Sequence, residues 1–424
     1  MMVIMLTADQ IKKVIIPQNQ QFTKYEDTVP RAILQEIGSL AATPHILIIT
    51  GMRRAGKSTL LQQINEKLYS SKQTYLNFED ERLLSFISDD FSAVHEAFLE
   101  LSGKVDVFFF DEIQNVEKWE AAIRRFHGEG IKVIITGSNA SLLNSELGTK
   151  LTGRHLDIVL YPFSFREYLI FRKTEFSDND FYIPERTALL RKEFNVFFKK
   201  GGIPEFLRYE REEIIRQIYE DILIKDIIVR YRIGDERSFR ELARLLISNT
   251  GKPFSYNKLR INLGFGSVNT VKNYISFMEN SYLLFLVEKY SPSLKKQIIN
   301  NKKVYCIDNA FLNLVSFESI ENLGRKLENL VYVELRRRDL TVHYHCEKYE
   351  CDFIISLKNK VIQVIQVCYQ LDYENNEREV RGLTEAASLH NLKEGLILTM
   401  DQEEVKRENG IEITILPVWK WLVQ

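Results

Sequence analysis

Gly51-Met52-Arg53-Arg54-Ala55-Gly56-Lys57-Ser58-Thr59 decides the fold, because the apolar run Ile46-Leu47-Ile48-Ile49 precedes it and Leu60-Leu61-Gln62-Gln63-Ile64 follows it. A loop with glycine at both ends, set between a strand and a helix, can curl until successive N–H groups and the first helical turn face inward and bind an anion. Lys57 would supply charge to the β- and γ-phosphates of a nucleotide, and the Ser58 hydroxyl a ligand for Mg2+. All nine residues from Gly51 to Thr59 are therefore expected to line a nucleotide site.

Further strand-like runs follow at spacings that leave room for helices: Thr74–Phe78, Val105–Phe110, Lys132–Thr136 and Asp157–Leu160. Continuous apolar runs with helical connectors predict an α/β fold with a parallel sheet covered on both faces. The second of these runs leads into Asp111-Glu112. An acid pair closing a buried strand after a phosphate loop points to triphosphate hydrolysis, with Asp111 holding Mg2+ and Glu112 polarising the attacking water. The third run ends in Gly137-Ser138-Asn139, which makes Ser138 or Asn139 a candidate γ-phosphate sensor. No Asn-Lys-x-Asp follows the acid pair, which disfavours guanine and leaves ATP as the expected nucleotide.

Several ordered motifs together resemble a family. The phosphate loop with its Arg53-Arg54 pair, Phe109-Phe110-Asp111-Glu112-Ile113-Gln114, Thr136-Gly137-Ser138-Asn139, Leu151-Thr152-Gly153-Arg154 and Leu160 to Tyr168 are similar to those of predicted prokaryotic AAA+-superfamily ATPases. In that family a nuclease-like domain of uncharacterised function follows the ATPase. Arg154, some fifteen residues past the sensor strand, is a candidate for offsetting charge on the γ-phosphate, in cis as a sensor or in trans from a neighbouring subunit.

From Glu185 to Arg240 the pattern turns helical and densely charged, and Ile214–Tyr231 reads as a solvated helix packed on the ATPase. Ser255–Leu259, the turn at Gly264-Phe265-Gly266 and the helix after Ser267 then predict a winged helix-turn-helix, backed by a strand over Tyr282–Glu288. If it reads double-stranded DNA, Asn269, Thr270, Lys272 and Asn273 face the groove while Lys295, Lys296, Lys302 and Lys303 serve the backbone. A docking module for protein is the alternative.

The final segment resembles a PD-(D/E)XK, restriction-endonuclease-like domain, whose active members place an Asp on one strand and Glu-x-Lys on the next to hold Mg2+ and steady a water. Here Asp352 is present, but Gln366 stands for the Glu and Cys368 for the Lys. An amide is a poor Mg2+ ligand and a thiol brings no positive charge, so a catalytically silent domain is expected. His343, His345, Cys346 and Cys351 do not converge on a strand well enough to predict zinc.

The expected organisation is an N-terminal arm (1–30), an ATPase domain (31–170), a helical extension (171–240), a winged helix (241–320) and a silent nuclease-like domain (321–424). A formal charge of −1 and a pI near 6.7 give no global field for nucleic acid. Four cysteines in 424 residues form no disulfide framework, and Met1–Leu6 is too short for a signal core. A cytoplasmic protein with no membrane span is expected. Its function would be coupling ATP turnover to remodelling of a DNA- or protein-associated complex, with a protein client or further copies of itself as partners. A low-turnover switch and an ATP-regulated nuclease effector are the alternatives.

Overall fold

A computed structural model describes residues 5–24, 28–140, 151, 153–315, 320–358 and 360–424. The chain forms two compact units, Met1–Leu160 and Tyr161–Gln424. The division between them falls after Leu160, where the end of the ATPase domain was expected at 170.

In the first unit, the described strands β1 (Ile46–Thr50), β2 (Tyr75–Asn77), β3 (Val107–Asp111), β4 (Lys132–Gly137) and β5 (His155–Val159) form a parallel sheet in the order β2-β3-β4-β1-β5. The runs are apolar throughout because both faces are covered. Leu47, Ile49, Val107, Phe109 and Ile134 pack with Ile37 of α2 (Leu34–Ala41) and with Leu60, Leu61 and Ile64 of α3 (Lys57–Tyr69). Ile48, Phe108, Phe110, Val133 and Ile135 face α4 (Phe91–Ser102) and α5 (Trp119–Gly128) through Val94, Phe98, Ile123 and Phe126.

The expected N-terminal arm is instead an integral helix. In α1 (Ala8–Phe22), Ile11, Val14 and Ile15 enter the same core, and Phe22 stacks on Tyr75 at 3.9 Å. Asn19 and Gln18 bond the backbone of β2 at Tyr75 and Asn77. A capping box at Thr7 fixes where α1 begins.

The second unit opens with helices α6 (Phe165–Phe171), α7 (Pro184–Lys200), α8 (Pro204–Tyr209) and α9 (Glu212–Asp221), the last running on as a π-helix over Ile222–Val229. Ile215, Ile218, Ile222, Leu223, Ile227 and Ile228 are buried along it. Next come α10 (Glu236–Ser248), β6 (Pro253–Phe254), α11 (Tyr256–Asn262), α12 (Val268–Asn280), β7 (Leu284–Glu288), α13 (Leu294–Ile299) and β8 (Lys302–Cys306). The three strands form an antiparallel sheet, β6-β8-β7. Helices α14 (Asn309–Val315) and α15 (Ile320–Arg337) lead into a sheet of order β13-β14-β12-β11-β10-β9. Its strands are β9 (Thr341–Cys346), β10 (Glu350–Leu357), β11 (Lys360–Val367), β12 (Glu394–Thr399), β13 (Glu404–Glu408) and β14 (Ile411–Pro417). β9, β10 and β11 are antiparallel neighbours; β11, β12 and β14 run parallel, with α16 (Asn376–Leu389) as the crossover.

Candidate functional site

Parallel strands end together, and this brings the phosphate loop, the acid pair and the sensor residues to one edge. β1 delivers Gly51, β3 delivers Asp111 and Glu112, and β4, hydrogen-bonded between them, delivers Ser138 and Asn139. The register pairs Thr50 with Gly137 and Asn77 with Asp111.

The loop geometry demands its glycines. At Gly51, φ is +151°, and a Cβ would lie 2.2 Å from the Leu160 carbonyl oxygen. Gly56 is left-handed, φ +97°, and no side chain caps the first turn of α3, leaving its N–H groups for an anion. Arg54 is exposed in the left-handed region, while Arg53 reaches Glu79 at 3.0 Å. Arg31, buried beside the loop, donates to the Ala55 carbonyl at 2.8 Å and braces it from outside.

Lys57 is buried, and its ammonium contacts Gly51 O at 3.2 Å, Met52 O at 3.3 Å and Glu112 Oε1 at 3.3 Å. These contacts are long for charge-assisted bonds, so phosphate oxygens can replace them. Asp111, fully buried, accepts from Tyr75 Oη at 2.8 Å, from the Thr136 hydroxyl and from Ser58. Thr136 Oγ1 also accepts the Glu112 N–H at 3.1 Å, which fixes Glu112 at its left-handed φ of +52°. Gln114 donates to Glu112 and lies 3.4 Å from Ser138 Oγ.

The two acids are driven apart. Burial raises the Asp111 carboxyl and the Glu112 charge adds to it, while the hydroxyls of Ser58, Thr136 and Tyr75 only reduce the shift. Burial also acts upward on Glu112, but Lys57, Gln114 and Arg53 together outweigh it and hold Glu112 below the usual carboxylate range. Burial, then the Asp111 charge, keeps the Tyr75 phenol well above its ordinary value, so it remains a donor. The donor set fits Mg2+: Ser58 and Asp111 present hard oxygens side by side.

Arg154 requires a correction. Its carbonyl accepts from Ile46 N at 2.9 Å, so it stands where β5 begins, at the edge opposite the loop. Five residues of strand, roughly 16 Å, separate it from Gly51. That distance speaks against the cis sensor reading. Thr152, from the same motif, lies outside the described residues.

In the second unit, Asn269, Lys272 and Asn273 are exposed on α12, whereas Thr270 is half-buried with its hydroxyl 3.0 Å from the capping Ser267. Lys295 and Lys296 are exposed. Lys302 and Lys303 are not available to a DNA backbone: Lys302 pairs with Glu288 at 2.5 Å, and Lys303 is 0% exposed among acids. Asp352 and Gln366 do meet, through an Asp352 N–H to Gln366 Oε1 bond of 3.1 Å, while burial holds the Cys368 thiol far up. His345 faces Glu385 at 2.9 Å, and the Cys351 thiol points to Ile365 O.

Sequence reading missed Tyr75, Thr136, Gln114, Arg31 and the inward turn of Lys303. The first two lie in strands already assigned to the core; for Thr136 a polar residue near the carboxyl end of β4 was the available signal, whereas Tyr75 opens β2 and carried none.

The AAA domain family matches residues 43–169, and a domain of unknown function (DUF8612) matches residues 191–322. Uncharacterized protein MJ1544 of Methanocaldococcus jannaschii is 34% identical over 399 residues, covering 89% of this chain and 88% of that protein. An uncharacterized protein of Haemophilus influenzae is 28% identical over 410 residues, covering 92% and 97%. The solved structure of the Aeropyrum pernix Orc1 protein in complex with DNA is 15% identical, covers 74% of this chain and 95% of that one, and superposes with a TM-score of 0.28. Among the described residues no helix is long and apolar enough to cross a membrane. With a P-loop sheet that carries both acids beside the loop, the chain is an AAA-domain protein and belongs to the family of Methanocaldococcus jannaschii MJ1544.

Proposed function

We propose that the chain binds and hydrolyses ATP with Mg2+, and uses the nucleotide state to remodel a DNA- or protein-associated complex in the cytoplasm. The observation that carries this reading is the Lys57–Glu112 contact of 3.3 Å at the mouth of the phosphate loop. Loop N–H groups and the first turn of α3 hold the phosphates. Lys57 then exchanges Glu112 for phosphate oxygen, which frees the carboxylate from the cation that depresses it. Glu112 becomes a better base as substrate enters, and takes the proton of the attacking water while Gln114 and Ser138 hold it in place. Mg2+, when bound by Ser58 and Asp111, supplies charge neutralisation at the β- and γ-oxygens. Asn139, buried at the same edge, is suited to sense the γ-phosphate.

Glu112→Gln should keep ATP affinity and lose turnover by about 10²–10⁴-fold, the usual contribution of a general base, whereas Lys57→Ala should lose binding. Turnover by Glu112→Gln at the wild-type rate would remove the mechanism. A low-turnover switch would instead give one burst of phosphate and then stop.

The order α10, β6, α11, α12 and the β7–β8 hairpin supports a winged helix, and the exposed Asn269, Lys272 and Asn273 support double-stranded DNA as its ligand. Binding should weaken steeply as salt rises; a flat salt response favours a protein client. The four free thiols suit a reducing compartment. The far-edge position of Arg154 favours action on a second copy of the chain.

A further inference from the structure

The C-terminal sheet carries an acid cluster with a cation already inside it. Lys303 of β8, its side chain 1% exposed, places Nζ 3.1 Å from Glu328 Oε1, 2.6 Å from Glu350 Oε1 and 3.1 Å from Asp352 Oδ1. Glu328 comes from α15, and Glu350 and Asp352 from β10. An ammonium has three N–H donors, and here three carboxylates surround it, so its donor capacity is matched. Two further donors join the cluster. Tyr305 Oη donates to the same Glu328 Oε1 at 2.5 Å, and Val367 N–H donates to Asp352 Oδ2, the oxygen turned away from Lys303, at 3.0 Å.

The divalent metal implied by a PD-(D/E)XK resemblance does not fit these residues. Gln366 turns its carbonyl to the Asp352 N–H and its amino group to Glu379 Oε2 at 2.5 Å, so it presents no free ligand. Cys368 packs in the apolar cluster with Val364, Val380 and Leu383. The acids that remain converge on Lys303, which arrives from the neighbouring β6-β8-β7 sheet.

We propose that Lys303 is a resident cation that occupies the place of a divalent metal. The site is silenced by occupancy as well as by the changes at Gln366 and Cys368. It works as a charged joint between β8 and the C-terminal sheet, and it becomes a metal site only when the ammonium is removed.

Mn2+ binding to nucleotide-free, full-length protein, followed by electron paramagnetic resonance of free Mn2+, tests this. Wild type and Asp352→Asn should bind alike. Lys303→Met should gain a single Mn2+ site and a Mn2+-dependent rise in melting temperature, and Lys303→Met/Asp352→Asn should lose both. A wild-type Mn2+ site that disappears in Asp352→Asn overturns the proposal, and so does folded Lys303→Met that gains no Mn2+. The first comparison stands even if Lys303→Met does not fold.

Discussion

Replacing Tyr75 by Phe isolates one hydrogen bond at the nucleotide site. The hydroxyl lies 2.8 Å from Asp111 Oδ2 in a pocket where Asp111 is 0% exposed, and the ring is held by Phe22 at 3.9 Å. Phe keeps that stacking and removes only the donor. A bond to an ionised group contributes about 1.5–3 kcal/mol, and its loss disfavours the charged Asp111 that burial already disfavours. The carboxylate also loses one of the contacts that fix its plane. Loss of support to a metal ligand typically costs about 10–100-fold in metal affinity or activity, so the Mg2+ concentration giving half-maximal ATP turnover should rise by that factor. The assay is steady-state hydrolysis against free Mg2+ at fixed ATP, with a urea melt of the same preparation. Turnover should recover at saturating Mg2+. An unchanged Mg2+ midpoint in a destabilised protein would make Tyr75 merely structural. A rate that excess Mg2+ fails to restore would place its effect on the reacting water.

Three further outcomes are expected. Gly382→Ala would set a Cβ 1.9 Å from the Glu350 carbonyl oxygen and lift α16 from β10; denaturant unfolding of the second unit should show a loss of about 1–3 kcal/mol or more, with ATP affinity unchanged. Burial raises Asp308 to about 6 from 3.8, although the Gly202 and Ala310 N–H groups oppose it. Its folded form therefore holds a proton that the unfolded chain releases first, and stability present below pH ~4 is lost as pH rises through ~6. At about 1.4 kcal/mol per unit the loss is about 3 kcal/mol, read as the stability of wild type minus that of Asp308→Asn between pH 4 and 7; a flat difference refutes it. Arg154→Ala should abolish any rise of specific ATPase activity with protein concentration and leave dilute activity unchanged; a loss at all dilutions would contradict its place at the far edge of the sheet.

The features legible in the sequence were those written locally. The phosphate loop, the acid pair and the apolar runs each occupy fewer than ten consecutive residues, and strand-end chemistry follows from a parallel sheet. Spacing alone did not reveal which end of a strand a residue joins, and so left Arg154 open between action in cis and in trans. Residues that act through register were hidden as well. Thr136 reaches Asp111 only because β3 and β4 are neighbours, and Tyr75 because β2 lies on the other side. Lys303 read as one of four lysines serving a DNA backbone, yet its partners lie 25 and 49 residues away, on elements whose packing a local pattern does not encode.

The pairing of α1 with β2 bears on how copies of this chain can assemble. Asn19 gives Tyr75 both a donor and an acceptor, at 2.9 and 3.1 Å, and Gln18 does the same for Asn77 at 3.2 and 2.8 Å. Two side-chain amides thus imitate the ladder that another strand would form, and β2 offers no vacant rung to a second molecule. Extension of the sheet by a second copy is thereby closed at β2, which leaves β5 as its other edge. A truncation beginning at Thr28 would uncover that ladder and turn a protected border into a template for aggregation.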